Sequence, residues 1–168
     1  MFDFLPRILW HCLKSAFNPS VTIFDDYTSG FRAWPILDTD GIRILSVARY
    51  LAIASILIWA HVFKSRWYRI AFRHKWYFVT KQQYARFYKP IKVFSRFQVT
   101  TRVIAWNDES FIRRVEFHQN GELRAKIYLQ VFTLSSTFRK VLTSEVLSKS
   151  SLTNCSSGEL PREIANWI

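Results

Sequence analysis

The sequence predicts an α+β domain in which one apolar helix lies against a mostly antiparallel sheet. Two observations predict it. Leu51 to Phe63 reads LAIASILIWAHVF, apolar on every side, as a buried helix is. After it the pattern changes to apolar and polar residues in alternation, the mark of strands with one buried face. Both belong to one domain, because 168 residues suit a single core. A hydrophobic fraction of 49% with only 4 Gly and 5 Pro excludes a disordered chain.

Residues Phe2 to Phe17 read as an amphipathic helix. Phe2, Leu5, Leu9, Leu13, Ala16 and Phe17 share one side, Arg7, His11 and Lys14 lie elsewhere, and Asn18-Pro19 ends it. The pattern fits an interfacial membrane anchor, a mitochondrial targeting helix, or a terminal helix packed on a partner or on its own domain. A first short strand is expected near Phe31 to Ile36. The apolar helix from Leu51 has an uncharged core of about 10 to 14 residues, short of the ~20 a bilayer requires. Extending it back to Leu45 brings in Arg49, so the expectation is a central helix wrapped by a sheet.

A strand from about Phe78 to Tyr88 ends at Lys89-Pro90, where proline withdraws a donor. Val99, Thr101, Val103 and Ala105 then face one way, and Gln98, Thr100 and Arg102 the other. Phe111 to His118 forms the next strand, connected through Gln119-Asn120-Gly121, an Asn-Gly hairpin signal. Leu123, Ala125, Ile127, Leu129 and Val131 alternate with Arg124, Lys126, Tyr128 and Gln130, as in a half-buried antiparallel strand. The four strands after the helix are expected to be joined largely by hairpins. Ser148 to Gly158 is polar and Ser-rich and reads as a linker, with Pro161 to Ile168 docking as a turn or two of helix.

A net charge of +12 and a pI near 10.1 create a field that attracts phosphates, anionic headgroups or an acidic partner. From Lys64 to Lys92 the cations are interleaved with Trp67, Tyr68, Trp76, Tyr77, Tyr84, Phe87 and Tyr88. Such a stretch can stack single-stranded RNA or be an ordinary helix end followed by a strand. Cys12 and Cys155 form no CxxC, and His11, His61, His74 and His118 form no metal-ligand spacing, so neither a disulfide framework nor a zinc site is indicated. No cofactor motif, phosphate loop or nucleophile elbow is present.

Trp34-Pro35, Leu37-Asp38-Thr39-Asp40 and Ala48-Arg49-Tyr50-Leu51 occur at an unbroken spacing, followed by Tyr84 to Pro90 and by Phe94 to Trp106. In these segments the stretch from Phe31 to Phe132 resembles thioesterase-like proteins of the 4-hydroxybenzoyl-CoA thioesterase superfamily, whose members read like W-P-x-D-x-D-x-N-x-H-M-N-N-A-R-Y-L. The resemblance implies a hotdog fold, a sheet wrapped around one long helix. It also implies pairing with a second hotdog domain, as a dimer or pseudo-dimer, around an acyl-thioester tunnel. Asp40 stands where the family carries the carboxylate that attacks or activates water, and Asp38 is a second carboxylate nearby. The resemblance places Ser46, Arg49 and Tyr50 as substrate-binding positions. Helix capping or a turn is the structural alternative for Asp40, capping for Ser46, a supporting salt bridge for Arg49 and a core position for Tyr50.

The departures lie in the same motif. Where the family carries N-x-H-M-N-N, this chain has Ile42, Arg43, Ile44, Leu45, Ser46 and Val47. With that polar cluster lost, the expectation is a degenerate catalytic motif in a structural or interaction subunit of a membrane-associated, plausibly mitochondrial, complex. Residues 1–17 would touch the membrane, and acyl-CoA or lipid would be the small ligand. The alternatives are an active acyl-CoA thioesterase with Asp40 directing water, and a basic RNA-associated protein of ribosomal type. The expected organisation is an amino-terminal helix and linker over 1–30, the hotdog domain over 31–147 and a polar tail over 148–168.

Overall fold

The computed structural model describes residue 10 and residues 21–34, 38–40, 43–150 and 157–165, with Thr39 and Asp40 described in their backbone alone. The amphipathic helix expected over Phe2 to Phe17 lies outside the described residues, Trp10 excepted. The elements run β1 (Tyr27–Arg32), β2 (Thr39–Asp40), β3 (Ile44–Leu45), α1 (Val47–Lys64), α2 (Trp67–His74) and β4 (Tyr77–Phe87). They continue with β5 (Arg96–Trp106), β6 (Ser110–Gln119), β7 (Glu122–Leu134), β8 (Lys140–Val141) and α3 (Thr143–Lys149).

α1 is the central helix. Ser46 begins it in an extended conformation, its hydroxyl accepting the Arg49 amide at 3.3 Å, as an N-cap does. Ser65 ends it, donating amide and hydroxyl to the His61 carbonyl at 2.9 and 2.8 Å. Length and composition would let α1 cross a membrane, but Tyr50, Ile53, Ala54, Leu57, Ala60 and His61 face the sheet and are buried. Each large apolar side chain there contributes about 1.5–3 kcal/mol. The receiving surface is Phe97 and Val99 of β5, Val115 and Phe117 of β6, and Ala125, Ile127 and Leu129 of β7.

The sheet order is β1-β5-β6-β7-β4, every pair antiparallel, with β8 added beside β7. Hairpins join β5, β6 and β7 as expected. β4 departs from that expectation: it pairs with β7, so the chain crosses the sheet between β4 and β5. The Asn120-Gly121 turn takes positive φ at both residues, 52° and 79°, the geometry an Asn-Gly hairpin requires. The first strand lies at Tyr27–Arg32, earlier than Phe31 to Ile36, because its ladder to β5 starts at Tyr27↔Thr101 and ends at Arg32↔Arg96.

Alternation places Val99, Thr101 and Val103 inward, but a bulge at Ile104 breaks the pattern. Ala105 pairs with Ile112 and joins Tyr128 and Ile164 in a smaller cluster on the opposite side of the sheet. That outer cluster is the carboxy-terminal segment's doing. Ile164 is fully buried there, and the Ser157 hydroxyl bonds both the amide and the carbonyl of Trp106 at 3.0 and 2.8 Å. Tyr128, on the face that alternation marks as solvated, is therefore buried, and Gln130 on the same face is buried with its amide donating to the Ser110 hydroxyl at 3.1 Å. Residues 148–149 belong to α3, whose Val146 and Leu147 pack with Trp67 and Phe111, and 151–156 lie outside the described residues.

At Gly158 a β-carbon would run into the Ile104 carbonyl oxygen. Gly158→Ala is therefore expected to lift 157–165 off the sheet at a cost of about 1–3 kcal/mol, read as faster proteolysis of the tail with the β5–β7 amides still protected from hydrogen exchange.

Candidate active site

The site grows from the short turn that delivers the chain to α1. Asp38 is fully buried, and its carboxylate accepts the Trp34 amide at 2.9 Å and stands 3.8 Å from Arg49 Nε. Its backbone is fixed as well, the amide donating to the Trp34 carbonyl and the carbonyl accepting from Ser46. Asp38 thereby ties the loop to the first turn of the helix. β2 and β3 follow as a minimal hairpin, with Asp40 paired to Ile44 and Thr39 to Leu45. The backbone of Asp40 is thus held by its ladder to β3, whose end leads into α1.

A second anchor comes from the chain after β4. The Leu45 amide donates to the Ile91 carbonyl at 2.9 Å, and the Tyr50 hydroxyl accepts the Ile91 amide at 3.2 Å. Burial pushes the Tyr50 phenol up from its ordinary pKa, the Ile91 bond and the charge of Arg124 opposing. Its ring meets Phe87 and Phe117 edge-on at 5.1 and 4.9 Å. Leu45, Tyr50, Phe87, Tyr88 and Pro90 line an open, mostly apolar groove of about 270 Å³, with Ile44 and Val47 at its mouth.

The sequence-derived positions are therefore brought together in part. Ser46 is the cap of α1, Arg49 is the partner of Asp38, and Tyr50 joins core and groove at once. Asp38, the second carboxylate, is committed to the loop. Phe87 completes the groove and Ile91 anchors the residues beside it without a local sequence signal, because one ends β4 and the other lies in the β4–β5 connection, about 40 residues from the start of α1. The interleaved cations and rings of 64–92 do not form one stacking platform: Trp67 and Trp76 are buried, and Tyr68 stacks on Phe63 at 4.7 Å. Among the described residues no group of His, Cys, Asp and Glu is placed to hold a metal ion.

At the end of β1, Arg32 pairs with Arg96 across β1 and β5. With Gln98 and His118 they line an open cleft of about 600 Å³. Phe97 lines this cleft and packs on Phe117, which packs on Tyr50, so one aromatic stack separates cleft from groove.

The family model of the Thioesterase-like superfamily matches residues 35–168. The chain belongs to that superfamily. Solved structures repeat its hotdog fold. A Staphylococcus aureus protein determined in complex with CoA superposes with a TM-score of 0.67 at 13% identity, over 89% of this chain and 98% of its own. The 1,4-dihydroxy-2-naphthoyl-CoA thioesterase from Synechocystis gives 0.64 at 12%, over 77% and 97%. The gentisyl-coenzyme A thioesterase BH1999 gives 0.60 at 17%, over 73% and 99%. No curated protein matches in a sequence search. At these identities the structures share the fold with this superfamily member, and its site has to be argued from its own residues.

Two buried polar groups lie farther along the helix. His61 Nε2 donates to the Thr22 carbonyl at 3.0 Å, leaving Nδ1 without a hydrogen-bond partner. Burial, then the Arg113 charge, lower its pKa to about 3, against the Thr22 bond and Asp25. Arg113 points inward from β6, and burial lowers its pKa to about 10, so it stays charged at neutral pH.

Two outcomes are expected. Asp38→Ala unties the loop and leaves Arg49 unpaired, lowering stability by about 2–4 kcal/mol in urea unfolding. The depressed His61 pKa means that between about 6.5 and about 3 the unfolded chain binds a proton that the folded chain does not. Stability is then independent of His61 above pH 6.5 and falls with acidification by up to ~1.4 kcal/mol per pH unit. His61→Phe should flatten that slope in melting curves taken from about pH 7 to about pH 4.5.

Proposed function

We propose that this chain binds and hydrolyses acyl-CoA thioesters, with Asp40 directing the attacking water. The observation that carries the reading is the β2–β3 hairpin, which fixes the Asp40 backbone ahead of α1, beside the groove of Leu45, Tyr50 and Phe87. The carboxylate accepts a proton as the water oxygen bonds to the thioester carbonyl carbon. The carbon–sulfur bond then breaks, the acid is released, and the CoA thiolate takes up the proton. The first amides of α1, at Val47 and Ala48, have no intrahelical acceptor, and with the helix dipole they suit the developing oxyanion. Arg32 and Arg96 offer two cations for the CoA phosphates. The CoA bound by the Staphylococcus aureus protein and the CoA thioesterases among the similar structures support the substrate class.

β4 supports a paired assembly. It is an 11-residue edge strand with Tyr77, Val79 and Phe87 exposed, and a second hotdog domain aligned along it would pair its free backbone groups and cover those side chains.

One observation favours a second reading, a hotdog subunit without turnover. Ile44 and Val47, 41% and 55% exposed, occupy the groove mouth where the family pattern is polar. Asp40→Asn separates the two readings. Hydrolysis of a long-chain acyl-CoA should fall on the order of a hundred- to ten-thousandfold in kcat, with KM little changed. Absence of turnover in the unaltered protein, with stable partner subunits recovered beside it, would establish the second reading.

A further inference from the structure

From Gly41 to Asn107 the chain has 13 Lys and Arg and neither Asp nor Glu. Part of this unbalanced charge is concentrated around α2. Arg66, Arg69, Arg73 and Lys75 are exposed, and among the described residues no carboxylate forms a salt bridge with any of them. Inside this cationic rim lies apolar surface. Phe72 is 77% exposed and Trp59, on the outer face of α1, 45%. Both line a groove of about 300 Å³ with Phe63, Tyr68, Ala71 and Trp76. The outer face of α1 has no charged side chain between Arg49 and Lys64, and beside Trp59 it presents the half-buried Ala52, Ser55 and Phe63.

α2 is short, but its two sides are chemically distinct. Trp67 is buried, while Arg69, Phe72 and Arg73 face solvent. Cations flanking a projecting aromatic ring are what an interfacial helix presents to a bilayer, the charges at the phosphates and the ring at the acyl-chain boundary. A nucleic-acid duplex or a wholly polar acidic surface would satisfy the cations alone, leaving Phe72 and the groove in water, and a single strand, which stacks on a series of rings, would find no continuous platform here, since Trp67 and Trp76 are buried. An apolar partner would bury the groove but leave four unpaired cations at its rim.

We propose that α2 and the adjoining outer face of α1 form a docking surface for an anionic phospholipid bilayer, with Phe72 and Trp59 entering the acyl-chain boundary and Arg66, Arg69 and Arg73 at the phosphates. This surface is separate from the groove of Tyr50 and stands whether or not the chain hydrolyses thioesters.

The test uses the full chain with Cys12 and Cys155 replaced by Ser and an environment-sensitive fluorophore at Phe72→Cys. It is mixed with vesicles of phosphatidylcholine alone or with added phosphatidylglycerol. The expected result is co-sedimentation and a blue shift at position 72 with the anionic vesicles only, reversed by salt. In the unlabelled chain, Arg69→Ser/Arg73→Ser should weaken binding on the order of 10- to 30-fold, and Phe72→Ser should weaken it without altering the melting temperature. Arg86→Ser/Arg162→Ser, an equal charge change away from α2, should have a much smaller effect. Equal binding to neutral vesicles overturns the proposal, as does sedimentation without a shift at position 72, which would assign the membrane contact elsewhere in the chain. A change of oligomeric state in Phe72→Ser with no effect on vesicles would equally overturn it and make the face a contact between copies.

Discussion

Helix α1 carries no charged side chain between Arg49 and Lys64, and that one constraint organises the structure around it. A helix this apolar has to be covered, and the inner faces of β5, β6 and β7 cover one side of it. Antiparallel pairing lets those three strands follow each other through hairpins. β4 enters beside β7, at the sheet's other edge from β1, because α1 and α2 have already carried the chain across. The interior is not wholly apolar. His61 and Arg113 are buried between helix and sheet, and the cost of charging a buried imidazole keeps His61 neutral.

The geometry ahead of α1 follows from the same helix. Its first turn needs a cap, and Ser46 supplies one. The loop before it needs an anchor, and the buried carboxylate of Asp38 holds Trp34 from one oxygen while facing Arg49 with the other. With Asp38 so engaged, the hairpin carrying Asp40 is placed by backbone bonds, not by the polar side chains that the family pattern has in this stretch. Replacing those side chains by Ile44 and Val47 keeps the hairpin and makes the groove beside it greasier. That is compatible with an acyl substrate and removes groups that would orient water.

The molecule also divides its surfaces by chemistry. The outer side of the sheet is covered from Ala105 to Tyr128 by the carboxy-terminal segment, the β4 edge is free to pair, and the helix side gathers unpaired cations around exposed rings. The groove of Tyr50 and the β4 edge share Phe87, and Tyr77 of that edge also lines the groove beside α2, so the three surfaces adjoin along β4.

The apolar run, the alternation and the Asn-Gly turn determined by themselves that one helix packs on an antiparallel sheet, since each reports burial or backbone conformation within a few residues. The motif from Trp34 to Leu51 likewise marked the superfamily. Tertiary structure alone decided the rest. The place of β4 depends on pairing partners 38 to 57 residues away, from Phe87↔Ala125 to Tyr77↔Leu134, beyond the reach of any local period. The bulge at Ile104 reversed the facing of Ala105, and the tail buried Tyr128, because a strand's pattern records how it alternates and not what later covers each face. Asp38 and Asp40 look alike in sequence. Only the fold separates them, by burying the carboxylate of Asp38 against Arg49 and the Trp34 amide and pairing the backbone of Asp40 in the hairpin ahead of α1.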